Sequence, residues 1–144
     1  MTVKRLGRLA GTMVASGLLS ASPLSAQEFS PYVHQTGKGA YDLYNDALLC
    51  AAVLEREIEA APDNERRPQL EQGIDYARNF ALFMLESGDV VDVAGAILSP
   101  DNLPVDRQKA YADWQSIFDA LEREGETPDA EIDRCLRLYG HEWE

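Results

Sequence analysis

Between residues 40 and 139 of this 144-residue chain, apolar side chains recur at steps of three and four in four separate runs. Only a helix turns that spacing into a continuous face. In the first run, residues 40–61, Leu43, Ala47, Cys50, Leu54, Ile58 and Ala61 share one stripe, and Pro62 and Asp63 stop it. The second run, 65–87, aligns Leu70, Ile74, Ala77, Ala81 and Met84, with Phe80, Phe83 and Leu85 widening the face. Asn64 stands where an N-cap belongs, Pro68 fits only within the first turn, and Gly88 suits the position just past the end. The third run, 105–124, aligns Ala110, Trp114, Ile117, Phe118 and Leu121 and stops at Gly125. The fourth has the clearest start in the chain: Thr127 as N-cap, Pro128 at the first helical position and acids in the first turn. It continues to Tyr139, with Ile132, Cys135, Leu136 and Tyr139 on one side.

One segment resists this pattern. "DVVDVAGAIL", residues 89–98, is rich in β-branched valine, yet a strand there has no second strand to pair with. A short helix capped by Asp89 is the expectation. The fold class is therefore all-α: a small up-and-down helical bundle of about four to five helices. It fills a single domain over residues 40–144, behind an extended, aperiodic lead-in at 27–39.

The first 26 residues have another composition. Lys4, Arg5 and Arg8 precede an apolar stretch from Leu9 to Leu19, and Pro23 and Ala26 supply a cleavage point before Gln27. That order is a secretory signal peptide, and its apolar part is shorter than the roughly 20 residues a membrane span needs. The expectation is a periplasmic or secreted protein without a membrane span. Removal of this segment leaves 118 residues, enough for one core.

Export bears on the cysteines, of which there are two, Cys50 on the first stripe and Cys135 on the last. Oxidising compartments permit disulfides, and the first and last helices of an up-and-down bundle are neighbours. A Cys50–Cys135 disulfide is expected. It closes a loop of about 86 residues, for which the chain-entropy model gives about 4.6 kcal/mol.

Charge narrows the partners. The formal net charge is −12, and it becomes −15 once the segment with three basic and no acidic residues is removed. Such a chain is repelled by nucleic acid and by anionic lipid, and any partner it recruits electrostatically is basic. The densest acidic run, residues 119–133, holds seven acids and one arginine. Within it Glu122, Glu124 and Glu126 are the candidate partner-binding residues. Glu122 and Glu124 fall near the C-terminus of a helix, where the helix dipole does not favour them.

No catalytic or metal-ligating constellation is expected. His34 and His141 lie far apart with no HExxH or CxxC context. A cysteine nucleophile requires a free, exposed thiolate, which two core-facing cysteines do not offer. Haem has no CxxCH motif, and Met84, the one methionine left after cleavage, reads as core, although Met84 with His141 is a conceivable axial pair. Calcium has no EF-hand spacing, "GKG" at 37–39 is not a phosphate loop, and Glu57, Asp92 and Asp113 have no special context. No cofactor is expected. Aromatic residues at the start (Phe29, Tyr32, Tyr41, Tyr44) and end (Tyr139, Trp143) suggest a packed cap at one end of the bundle. The functional expectation is a non-catalytic binding or interaction module, with a basic protein as the possible partner. Its alternatives are a small cell-envelope hydrolase working through carboxylates and a small-ligand carrier.

Overall fold

Where the apolar repeats predict helices, the computed structural model has them; it describes residues 29–140. The signal-peptide reading, His141 and Trp143 fall outside these residues. Four α-helices follow in order: α1, Gly39–Ala60; α2, Arg67–Ser87; α3, Leu103–Arg123; and α4, Asp129–Tyr139. A short 3-10 turn, Pro100–Asn102, leads into α3. Among the described residues no helix is long and apolar enough to cross a membrane.

Helix ends follow local chemistry. Gly88 takes the left-handed conformation (φ 79°) that closes α2, its N–H bonding to the Leu85 carbonyl. Gly125 (φ 74°) does the same after α3, and the Glu126 N–H reaches back to Leu121. Two expected caps differ. Asn64 does not cap α2 directly; its side chain accepts the Arg66 N–H at 2.7 Å and shapes the turn ahead of the helix. Thr127 is not the cap of α4 either: Pro128 holds that position, and its carbonyl accepts the first backbone bonds.

The first helix is the centre of the fold. Every residue from Asp46 to Leu54 is buried, all the way round the helix. A single stripe does not describe it, and Leu43, expected on that stripe, is 40% exposed. The cause is the packing: α1 is covered by α2, α3 and α4 together, α2 also lies against α4, and α3 packs chiefly on α1. An up-and-down ring makes α1 and α4 neighbours, as they are here, but it does not place α2 on α4 or leave α3 outside. Ala47, Ala51 and Ala52 allow that crowding, because small side chains let three helices approach one axis. Leu48, Leu54, Leu70, Leu85 and Trp114 fill the remaining core, each worth about 1.5–3 kcal/mol relative to exposure. The expected α2 stripe is buried throughout, whereas Phe83 is 66% exposed and does not widen it.

The expected helix at 89–98 is not present. Val91 bridges Ile97 in antiparallel fashion, the Leu98 N–H donates to the Val90 carbonyl, and the Asp92 N–H donates to Ala96. The chain thus pairs with itself across a tight turn and needs no second strand. Asp92 and Gly95 decide the matter. The Asp92 carboxylate accepts the N–H groups of Ala94 and Ala96, both at 2.9 Å. Gly95 at φ 89° occupies a conformation that L side chains avoid and that a helix lacks. Val90, fully buried, anchors the hairpin to the core.

The lead-in from Pro31 belongs to the same compact unit as the helices. Buried Asp42, in the first turn of α1, accepts hydrogen bonds from the Thr36 N–H and hydroxyl and from the Gly37 N–H. The expected aromatic cap includes Trp143, which lies outside the described residues. Tyr32 meets Trp114 edge-on at 5.7 Å, and Tyr139 packs on Phe80 at 6.2 Å.

Candidate functional site

Three places in the fold concentrate polar chemistry. The first surrounds the expected disulfide, which is present: Cys50 and Cys135 are bonded, with Cα atoms 5.4 Å apart. One turn before Cys50 on α1 lies Asp46, and beside Cys135 on α4 lies Arg134. The Arg134 guanidinium donates to both Asp46 oxygens, at 3.2 and 2.9 Å, and to Glu131 at 3.0 Å. The same Nη2 stands 3.2 Å from the Cys50 sulfur. All three charged side chains are buried. Burial works against the arginine's charge, yet Glu131 and Asp46 outweigh it and hold its pKa above the ordinary value. The Glu131 carboxylate and the two sulfurs lie within 4.8 Å of one another, a grouping with the ligand types of a metal site. The sulfurs are spent on each other, and the nearest cation is Arg134, so this is a structural staple between α1 and α4.

This network has only a faint trace in the sequence. Asp46 precedes Cys50 by four residues and so shares its helix face, and Glu131 precedes Arg134 by three. A charge one turn from a core-facing cysteine is the signal that a stripe of apolar residues passes over.

The second place is a groove of about 590 Å³ between α1, α2 and α3, with Ile58 and Ile74 in its wall. Its lining sets Glu55 and Glu59 against Arg107. Glu55 faces Arg107 at 3.6 Å and Arg78 at 3.9 Å. Tyr111 donates to Glu59, a bond that pushes the phenol up to about 12.

The third is a cleft of about 560 Å³ bounded by the lead-in, α1, the 89–98 hairpin and α3. Leu49, Leu98 and Ile117 give it an apolar floor, and Tyr32 and Tyr41 supply aromatic walls. Asp92 and Asp113, which have no special context in the sequence, line this cleft together with Asp106 and Lys109. The hairpin that replaces the expected helix brings Asp92 there. Asp106 is fixed by the Tyr44 hydroxyl at 2.7 Å; burial, then that carboxylate, pushes the phenol far above its ordinary value. Asp113 lies 3.8 Å from Lys109 one turn earlier on α3. His34 also lines the cleft, on the exposed lead-in.

The candidate partner-binding residues lie elsewhere: Glu122 in the last turn of α3, and Glu124 and Glu126 in the turn that follows it. Glu122, Glu124 and Glu126 are all exposed. Other acids of the same run are engaged: Glu131 by Arg134, and Asp133 by Arg66 at 3.1 Å. Comparison with known proteins adds no relative: no family model, curated protein or solved structure matches the chain.

Proposed function

We propose that this chain is an exported, non-catalytic interaction module that engages a basic partner through the acidic turn between α3 and α4. The observation that carries the reading is the uneven use of cations. Arginines are placed against Asp46, Glu131, Asp133 and Glu55. Glu122, Glu124 and Glu126 form no ion pair among the described residues. Three exposed carboxylates within five residues repel one another, and a cationic surface relieves that repulsion while gaining long-range attraction. Export is supported by the basic-then-apolar order of the first 26 residues and by the disulfide, which oxidising compartments allow.

Affinity capture from periplasmic or culture extract, followed by association kinetics on what is captured, tests this. The expected partner is basic, and its association slows as salt rises, because exposed charges are screened over about 8 Å at physiological strength. The variant Glu122→Gln, Glu124→Gln, Glu126→Gln should keep its fold and associate more slowly at low salt. Equal rates for parent and variant would reduce the run to a solvated surface.

A further inference from the structure

We propose that the cleft between the lead-in, the hairpin and α3 binds an alkylammonium group, a positive charge carried on an apolar stem. The site is separate from the acidic turn and does not depend on that reading. Its volume, about 560 Å³, lies within the range that small-ligand sites occupy, roughly 300–1,000 Å³. Its lining divides as such a ligand does. The apolar part is the floor of Leu49, Leu98 and Ile117, which takes a methylene stem. The polar part is three carboxylates against one lysine, which selects a cation over an anion.

The carboxylates are held in place without being used up. Asp92 spends one oxygen on the hairpin turn, and its other accepts no hydrogen bond among the described residues. Asp106 accepts the Tyr44 hydroxyl on one oxygen and keeps the second. Asp113 has only the loose contact with Lys109, in which both side chains are more than half exposed. Tyr32 and Tyr41 add aromatic surface to the same lining. The neighbouring groove is of similar size but has a smaller acid excess, Glu55 and Glu59 against Arg107, and Arg107 already faces Glu55 at 3.6 Å.

The ligand chemistry is shared by free amines and by lysine side chains of a peptide, and the test separates them. Trp114 packs edge-on against Tyr32, a lining residue, so its emission reports occupancy once Trp143 is replaced by Phe. Titration with hexylammonium should give a saturable change, and hexanol and hexanoate should not. Backbone NMR shifts should concentrate at 32–36, 92–98 and 106–117. The exposed Asp113→Lys should weaken hexylammonium about tenfold or more, by reversing a charge a few ångströms from the ligand. Asp106→Asn should weaken it as well, with Asp113→Lys retained as the variant whose fold is not in question. A Lys-containing tripeptide that binds more tightly than hexylammonium points to a peptide source, and the opposite order to a free amine; either supports the site. Equal binding of hexanol and hexylammonium, no saturation with hexylammonium, or a folded Asp113→Lys that binds undiminished would overturn the proposal.

Discussion

Arg134 Nη2 lies 2.9 Å from Asp46 Oδ1 across the α1–α4 interface, with both side chains buried and the Cys50 sulfur 3.2 Å from the same nitrogen. Covalent and ionic links thus fall within one turn of each other. The disulfide fixes the distance between the helices. The guanidinium fixes their rotation, because its planar fork meets the two Asp46 oxygens together.

Removing the cation alone should be costly. Arg134→Met leaves Asp46 and Glu131 buried without it, a loss of about 3–5 kcal/mol for a broken buried pair. Replacing all three side chains together (Arg134→Met, Asp46→Leu, Glu131→Leu) removes the uncompensated charge and should recover most of that loss. Urea melts of the single and triple variants measure the difference. A single variant as stable as the parent would show that the pair contributes nothing.

Reduction should lower stability by several kcal/mol. The two cysteines are 85 residues apart, and releasing a loop of that length from the unfolded chain costs the folded state about 4.6 kcal/mol in the chain-entropy model. Thermal melts with and without reductant read this directly. Unchanged melts, together with thiols that label only after reductant is added, would show that the bond forms but does not stabilise.

The sequence made much of this legible, and where it did not the physical reason is specific. Helical spacing located all four helices within a few residues, and paired stripes located the disulfide, because burial and period are properties of a single segment. The position of α1 at the centre is different: it depends on which helices come back to cover it, and Ala47, Ala51 and Ala52 read as ordinary helix formers until three neighbours are in place. The 89–98 hairpin departs from the expected helix because the segment pairs with itself and needs no partner strand, and the turn is carried by two residues, Asp92 and Gly95, rather than by valine content. The cleft was invisible for the same reason, since the hairpin supplies one of its walls.

The hairpin itself is testable. Gly95 at φ 89° faces open space, so a methyl group meets no atom but strains the backbone. Gly95→Ala should cost about 1 kcal/mol from conformation alone. Asp92→Ala removes the acceptor for two backbone N–H groups and should cost about 1–3 kcal/mol at most, less where water replaces it. Hydrogen exchange at Ala94 and Ala96 should accelerate in both variants while the core of α1 stays protected. Unaltered exchange in Asp92→Ala would remove the carboxylate from the account of the turn.

Glu57 gives stability an inverted pH dependence. Its carboxyl is raised above the ordinary value, first by burial between α1 and the start of α4 and then by the negative charge of Asp129. A raised acid holds its proton longer in the folded state than in the unfolded chain. Its contribution is therefore most favourable below the ordinary value of 4.5, and it is lost as pH rises through the raised folded value. Glu57→Gln keeps an acceptor for the Asn64 amide, which lies 3.2 Å from Oε2, and removes the charge. The variant should melt above the parent at pH 7, and its advantage should shrink as pH falls toward 4. The gain is modest, because Glu57 is only partly buried and solvent screens it. Asp129→Asn should reproduce part of the same gain by removing the neighbouring charge. A Glu57→Gln advantage that stays constant from pH 4 to 7 would mean that packing, not ionisation, separates the two proteins.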